Sequence, residues 1–236
     1  DRYDQTFVFQ IHTLGMDAFR SNIIEALQAF GASRQLSSLA IVERSDVDAR
    51  TIEGLRPRAA ELHDGTVVAP VSFQEYGITF QADVLEGQKT GFFLDQREAR
   101  HQVGLLAKNK RVLNLFGYTG AFSLHALVGG ASFVQTVDVS HKALETAQTQ
   151  FALNGINGET DARVGLLEAD VFDLLNEAQL PDGPYDIIIC DPPALAKNAA
   201  HVPQAIKGYT FLNSTCLQHL QPGGILVASS CSGRVE

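Results

Sequence analysis

The feature that most constrains the fold is a regular alternation of short apolar runs and helical segments after Gly87. The runs are continuous in apolar residues, which is typical of strands that are buried on both faces of a sheet. The five runs are "RVLNLF" (111–116), "SFVQTVDV" (132–139), "ARVGLLEA" (162–169), "YDIIIC" (185–190) and "GILVASS" (224–230). This order predicts an α/β fold with a Rossmann-like, doubly wound and mostly parallel sheet. Ligands of such sheets bind at the carboxyl ends of the strands, where the strand order reverses.

The first part of the chain has a different pattern. "TFVFQI" (6–11) and "SLAIVE" (38–43) predict strands, and "MDAFRSNIIEALQAF" (16–30) has apolar residues at helical spacing. Strict alternation in "GITFQADV" (77–84) predicts a strand with one buried face. We therefore expect a small α+β domain over residues 1–87 and the Rossmann-like domain over residues 88–236.

Composition narrows the class of protein. With 45% hydrophobic and 19% charged residues, the chain is typical of a globular protein. Its net charge of −9 argues against binding nucleic acid by bulk electrostatics alone. The three cysteines have no paired spacing, so we expect no metal site and a reducing, cytoplasmic location.

The sequence predicts neither a membrane span nor a secretion signal. No apolar run is long enough to span a membrane, and the start of the chain does not resemble a signal peptide. Because the chain does not begin with Met, we expect it to be a piece of a longer protein. The sequence leaves the oligomeric state open, a homodimer included.

Basic residues are concentrated in one stretch of the chain. Six of the 18 lysines and arginines lie between Lys89 and Arg111, and only Asp95 and Glu98 oppose them. The stretch is either a solvated helix face or a local patch that contacts phosphates.

The first three predicted strands end in residues that suit a nucleoside cofactor. The first is followed by "FGYTGAFS", whose glycines allow a tight turn and close approach of a ligand. Asp138, after the second strand, could accept hydrogen bonds from ribose hydroxyls or serve as an acid at a helix N-terminus. Asp170, after the third, could accept from an adenine amino group or serve in the same way as a helix-terminal charge.

The fourth and fifth strands end in groups that suit chemistry on a substrate. Pro192 and Pro193 follow Asp191 and prevent the chain from continuing as a strand, so the Asp191 carboxylate is presented on a rigid segment. Cys231 follows the neighbouring strand, and parallel strands lie about 4.8 Å apart. Asp191 and Cys231 could therefore face one pocket, with Cys231 either a nucleophile or a buried apolar residue. We interpret Cys190 and Cys216 as buried apolar residues.

These blocks together resemble a known family, the class I methyltransferases that form 5-methylcytosine in bacterial large-subunit (23S) rRNA. The matching blocks are "RSDVDARTIEGL" (44–55), "GQKTGFFLDQREAR" (87–100), "VLNLFGYTGAFS" (112–123), "VDVS" (137–140), "DVF" (170–172), "CDPPALAK" (190–197) and "SSCSG" (229–233). The resemblance implies S-adenosylmethionine (SAM) as cofactor, with S-adenosylhomocysteine (SAH) as its product. It also implies that 23S rRNA or a ribosomal precursor particle is the partner. A PUA domain would precede this chain, and a further C-terminal segment would follow it.

The resemblance also assigns roles to single residues. Asp138 would hold the ribose, Asp170 the adenine, and Asp191 would lie beside the methionine end of the cofactor. The implied cofactor-binding residues are Gln96, Arg97, Phe116, Tyr118, Thr119, Gly120, Asp138, Val139, Ser140, Asn154, Asp170, Val171, Phe172 and Asp191. The implied substrate-binding residues are Arg100, Pro192, Pro193 and Lys197, and the implied catalytic residues are Cys231 and Asp191.

The implied mechanism is covalent. The Cys231 thiolate would add to carbon 6 of a flipped cytosine, so that carbon 5 becomes nucleophilic enough to accept a methyl group. Lys197 and Asp191 are candidates for the base that then removes the carbon-5 proton.

Three other functions remain as alternatives. The nearest is a SAM-dependent enzyme that methylates a nitrogen of an RNA base without a cysteine, and Cys231 argues against it. An NAD-dependent dehydrogenase is disfavoured by the incomplete GxGxxG motif and by the Asp-Pro-Pro segment. A pure RNA-binding module is disfavoured by the acidic net charge.

Overall fold

A computed structural model describes residues 1–176, 180, 183–196 and 199–232. It divides into two compact units, Asp1–Arg97 and Glu98–Glu236. The domain boundary that we place at residue 87 stays a prediction.

The first unit combines a four-stranded sheet with a hairpin. The sheet has the order β1-β2-β3-β4, in which β2 and β3 are parallel and the outer pairs antiparallel, while β5 and β6 form the antiparallel hairpin. The strands are β1 (Arg2–Tyr3), β2 (Thr6–Phe9), β3 (Ala40–Glu43), β4 (Glu61–Asp64), β5 (Val71–Glu75) and β6 (Ile78–Ala82). The helices are α1 (Leu14–Asp17), α2 (Arg20–Ser33) and α3 (Ala49–Ile52), and a 3-10 turn covers Leu94–Gln96.

The hairpin strand β6 confirms the alternation that the sequence shows. Ile78, Phe80 and Ala82 are buried, whereas Thr79 and Gln81 are only half-buried. The strand packs one face into the core, as a period of two requires.

The helix predicted over residues 16–30 is wrong in its bounds. The segment divides into α1 and α2, and Gly31 is the buried residue of α2. Met16, Phe19 and Phe30 are 49%, 59% and 43% exposed. A helical period shows that apolar residues share one face, but it does not show how deeply that face is buried.

The second unit contains the predicted sheet. Its five strands have the order β11-β10-β7-β8-β9, and every neighbouring pair is parallel. The strands are β7 (Arg111–Leu115), β8 (Phe133–Asp138), β9 (Val164–Glu168), β10 (Tyr185–Cys190) and β11 (Leu220–Ala228). The helices are α4 (Arg97–Leu106), whose first residue still belongs to the first unit, α5 (Ala121–Val128), α6 (His141–Ala152), α7 (Val171–Asn176) and α8 (Val202–Gln218). None of the described helices is both long and apolar enough to cross a membrane.

The order of the strands locates the crevice. The chain runs outward from β7 to β8 and β9, and then returns to the other side of β7 to form β10 and β11. The order therefore reverses between β7 and β10, and a ligand is expected beyond their carboxyl ends. β11 ends at Ala228, two residues earlier than predicted, so that residues 229–232 follow the strand.

A buried polar chain fixes the helix that follows β7. Asn114 of β7 donates to the Ser123 hydroxyl over 2.9 Å, and that hydroxyl shares a 2.7 Å hydrogen bond with Thr136 of β8. Buried polar groups are costly unless they are paired, so these bonds favour one position of α5 over the two strands.

Candidate functional site

The loop after β7 turns sharply at the edge of the sheet. Phe116, Tyr118 and Gly120 have positive φ angles of 58°, 46° and 72°. Such angles disfavour residues with a side chain, so packing and hydrogen bonds must hold this loop. Gly117 donates its N–H to the Val137 carbonyl over 2.9 Å. A Cβ atom on Gly117 would lie 2.4 Å from Cγ2 of Thr136, which explains the glycine.

Asp138 connects the tips of β7 and β8. One of its carboxylate oxygens accepts from the Tyr118 N–H over 2.8 Å, and the other accepts from the Ser140 N–H over 2.9 Å. Ser140 is the N-cap of α6, because its hydroxyl accepts from the Ala143 N–H over 3.2 Å. An ionised carboxylate has about four acceptor positions, so Asp138 keeps acceptor capacity toward a ligand.

Asp170 lies at the start of α7. One of its oxygens accepts from the Phe172 N–H over 2.7 Å and from the Asp173 N–H over 3.2 Å, so it caps the helix. Val171 is buried in the core with Leu175. The side chain of Val171 therefore faces the interior of the protein, whereas Asp170 is exposed.

Aromatic rings connect the tips of β7 and β9 to α8. Phe116 and Phe172 meet edge to face with centroids 6.1 Å apart, and Phe172 and Phe211 stack with centroids 6.2 Å apart. Phe211 was not predicted from the sequence, since an aromatic residue inside a helix carries no signal for a site. All three rings are half-buried and give this edge an apolar wall.

The segments after β10 and β11 are hydrogen-bonded to each other. The last pair of the ladder is Cys190 with Ala228, and the Ser229 N–H then donates to the Cys190 carbonyl over 3.1 Å. The Ser229 hydroxyl donates to the Asp191 carboxylate. Further along, the Ala196 N–H donates to the Ser232 hydroxyl over 3.1 Å.

Cys231 lies within this paired region. It is exposed and stands between Ser229 and Ser232, the two residues that bond to the Asp191 segment. Pro192 is buried and Pro193 is exposed. The structure thus brings the segments of Cys231 and Asp191 together at the crevice that the strand order defines.

Comparison with known proteins identifies the family of the chain. A family model described as S-adenosylmethionine-dependent methyltransferase matches residues 17–234. The chain belongs to the S-adenosylmethionine-dependent methyltransferase family.

Two relatives of similar sequence share one name. The chain is 42% identical over its full length to the ribosomal RNA large subunit methyltransferase I of Shewanella denitrificans, and covers 57% of that protein. It is 39% identical over its full length to the protein of the same name from Pseudoalteromonas translucida, and covers 58% of it. The chain therefore spans somewhat more than half the length of the curated relatives that it matches.

Solved structures agree with the fold. A methyltransferase crystallised with SAH, SMU.776, superposes with a TM-score of 0.79 at 28% identity, over 98% of this chain and 57% of that one. SAM is the cofactor of the family to which this chain belongs. The residues at the crevice fit an adenosine moiety, because Asp138 and Asp170 offer acceptors and Phe116 and Phe172 offer apolar surface.

The other two cysteines of this chain, Cys190 and Cys216, are in the core, which confirms their interpretation as buried apolar residues. Cys190 is 1% exposed and Cys216 is 0% exposed. A hydrogen bond with Cys216, together with burial, raises the pKa of the Cys190 thiol. A raised pKa keeps the Cys190 thiol protonated, as expected of a cysteine in an apolar core.

Asn154 is not brought to the crevice. It follows α6, which begins at the carboxyl edge of the sheet and runs back for 12 residues. At 1.5 Å per residue, the helix ends about 18 Å from where it began. The Asn154 side chain donates to the Gln150 carbonyl over 2.8 Å, which is a helix C-terminal contact.

Arg100 does not suit a direct contact with RNA, because it is 1% exposed. Gln96 and Arg97 belong to the first unit, where the Arg97 guanidinium lies 4.6 Å from the centre of the Tyr76 ring. Their role toward cofactor or RNA stays a prediction. Lys197 lies outside the described residues.

The basic stretch is not a uniform solvated face. Lys89 pairs with Asp95 over 2.9 Å, and Lys110 pairs with Asp186 over 3.1 Å. A patch that binds phosphates would have to compete with these partners.

One group of side chains in the described part of the first unit has spacing that could hold a metal ion, namely Glu43, Glu61 and His63. The Arg20 guanidinium lies 3.1 Å from the buried Glu43 carboxylate and already supplies a positive charge there. His63 also contacts Glu43, over 3.1 Å. We interpret the group as an ion-pair cluster and assign no metal to it.

Proposed function

We propose that this protein methylates carbon 5 of a cytosine in large-subunit rRNA through a covalent intermediate on Cys231. The observation that carries the proposal is the pairing of the Cys231 segment with the Asp191 segment at the crevice. The names of the relatives, which are ribosomal RNA large subunit methyltransferases, support RNA as the substrate. A 23S rRNA or a ribosomal precursor particle is the partner that we propose.

The cofactor would be held by the tips of β7, β8 and β9. Asp138 would accept from the ribose hydroxyls, and Asp170 would accept from the adenine amino group. Phe116 and Phe172 would pack on the adenosine, with Tyr118, Thr119 and Gly120 forming the turn around it. SAM supplies an electrophilic methyl group when it is bound.

Cys231 would activate the base. Its thiolate forms a bond from sulfur to carbon 6 of the cytosine, and the electron pair of the 5,6 double bond becomes available at carbon 5. Once carbon 5 carries the methyl group, a base removes the proton there and the bond from sulfur to carbon 6 breaks. The electron pair of the broken carbon–hydrogen bond restores the 5,6 double bond, and sulfur leaves with its own electron pair as the thiolate. Without this addition, carbon 5 of a neutral cytosine is too weak a nucleophile.

Asp191 would orient the base. Its carboxylate follows β10 directly, and the Ser229 hydroxyl holds it in place. It could bond to the Watson–Crick edge of a flipped cytosine, in the way that enzymes acting on flipped bases read their target. Among the described residues, Asp191 is also our candidate for the base that takes the carbon-5 proton.

The test is the substitution Cys231→Ala. We expect it to abolish methylation of bacterial large-subunit rRNA and to leave the Kd for SAM, measured by calorimetry, unchanged. Cys216→Ala is the matched control, because it removes a thiol from the core and should retain turnover. Full activity of Cys231→Ala would reject the covalent route, and a product methylated on nitrogen would favour the alternative without a cysteine.

A further inference from the structure

Ser232, the residue after Cys231, is buried and hydrogen-bonded through its side chain. It is 3% exposed, whereas Cys231 and Ser230 are exposed. Its hydroxyl accepts from the Ala196 N–H over 3.1 Å and shares a 2.9 Å hydrogen bond with the Tyr209 hydroxyl of α8.

This hydroxyl joins three parts of the second unit. Ala196 belongs to the segment after β10, Ser232 to the segment after β11, and Tyr209 to α8. The parallel ladder between the two strands ends at Cys190 and Ala228, so it does not extend to Cys231. Ser229 holds the near end of the two segments through Asp191, and Ser232 holds the far end.

Cys231 therefore lies between two residues that are held by side-chain hydrogen bonds. Ser229 is two positions before it, and Ser232 is directly after it. Cys231 itself is exposed, so burial of its own side chain does not fix its position, and the hydrogen bonds on either side of it restrict its backbone.

We propose that Ser232, held by Tyr209, is a positioning residue that sets the Cys231 sulfur at the base that it attacks. The inference rests on the proposed function. Reactions between bound groups are sensitive to geometry, and a displacement of about 1 Å can reduce the rate about 100-fold. A buried serine that served only to satisfy its own hydrogen bonds would affect stability alone.

The experiment measures formation of the adduct between cysteine and RNA. The probe is bacterial large-subunit rRNA transcribed with 5-fluorocytidine, which traps the covalent complex after methyl transfer because the fluorine cannot leave as a proton does. The rate of adduct formation is followed on denaturing gels, at saturating RNA and SAM, in the full chain. The Kd for SAM and the midpoint of urea unfolding are measured for every variant.

We expect Ser232→Ala to slow adduct formation about 100-fold at unchanged Kd for SAM. Tyr209→Phe, which keeps the ring and removes the hydroxyl, should lower the rate in the same direction. Ser232→Thr should recover most of the rate, because it keeps the hydroxyl. Ser214→Ala is the matched control on α8, since that hydroxyl is exposed and donates to the Phe211 carbonyl of its own helix.

The outcomes separate the inference from the function on which it rests. If the unmodified chain forms the adduct and Ser232→Ala forms it at the same rate, the positioning role is rejected and covalent catalysis stands. If the unmodified chain forms no adduct and Cys231→Ala remains active, the proposed function is rejected and the positioning role falls with it. If Ser232→Ala does not fold, Tyr209→Phe decides, and an unchanged rate in that variant rejects the inference.

Discussion

At the scale of single residues, the loop after β7 shows how packing imposes a backbone conformation. Gly120 has a φ angle of 72°, and a Cβ atom there would lie 2.8 Å from the Cβ of Ala147 and 3.0 Å from the Phe151 ring. Both the angle and the contact exclude a side chain. Gly155 has a similar φ of 76°, but nothing lies within 4 Å of its missing Cβ.

These two glycines allow a matched comparison. Gly120→Ala and Gly155→Ala share the cost of a left-handed conformation, which is about 1–2 kcal/mol. Gly120→Ala adds overpacking against α6, so we expect it to lower the free energy of unfolding by about 1–3 kcal/mol more than Gly155→Ala. Urea unfolding of both variants measures the difference. Equal losses would show that α6 moves aside without cost.

Single residues were the most predictable part of the site. Ser140 is the N-cap of α6, and a short polar side chain directly before a helix is a signal that local sequence alone can carry. Asp138, Asp170 and Asp191 lie at strand tips as predicted, since an acid after a buried run must be at the edge of the sheet. Their contacts with a ligand stay predictions.

At the scale of elements, β10 is anchored at both ends. Its carboxyl end bonds to the segment after β11, and near its amino end Asp186 accepts from the Arg111 N–H over 2.8 Å and from Lys110 over 3.1 Å. The hydrogen bond from the Arg111 backbone, with a smaller contribution from Lys110, holds the pKa of Asp186 below its usual value of 3.8. The same carboxylate thus connects β10 to the start of β7.

This anchor predicts a pH dependence of stability. Because the pKa of Asp186 is lower in the folded than in the unfolded state, its carboxylate stabilises the fold above pH 3.8 and loses this effect as the pH falls through the folded value. We expect Asp186→Asn to be less stable than the unmodified chain at pH 7, and the difference to shrink below pH 3.8. Urea unfolding across this pH range measures it.

Glu159→Gln serves as the control for this series, because Glu159 is exposed and its change should leave the stability nearly equal at every pH. A difference for Asp186→Asn that stays constant down to pH 2 would contradict the assignment.

Elements also show where sequence patterns fail. The strands of the sheet were predicted within a few residues, because a continuous apolar run has few other uses in a chain of this composition. The bounds of the helix over residues 16–30 were predicted less well. Its apolar residues are partly exposed, and the start of the segment is set by local contacts such as the Thr13 cap of α1. The spacing of apolar residues gives no information about these contacts.

At the scale of the whole molecule, the order of the strands determines which predicted residues can act together. Asp138, Asp170 and Asp191 end strands of one parallel sheet and therefore share its carboxyl edge. Asn154 ends a helix that runs the other way and lies near the opposite edge. Proximity in sequence to a motif does not guarantee proximity in space.

Hydrogen exchange tests whether the cofactor contacts only the carboxyl edge of the sheet in the second unit. On addition of SAM we expect amide protection to rise at residues 116–120, 138–140 and 170–172, and to stay unchanged at residues 153–159. The physical reason is that a bound cofactor excludes water and restricts motion only at the edge that it contacts. Protection at 153–159 would restore Asn154 as a cofactor contact, and protection at 94–97 would support Gln96 and Arg97.

The amino-acid sequence by itself determined the fold class, because buried parallel strands require apolar runs and their tips require turn and polar residues. It also singled out Cys231 and Asp191, through residue types that are unusual at strand ends. Only the tertiary structure decided which groups meet. The Ser232–Tyr209 contact joins residues 23 positions apart, and the Ala196–Ser232 contact joins residues 36 positions apart. Such hydrogen bonds depend on how the strands are ordered and how α8 packs, and a local pattern carries no information about either.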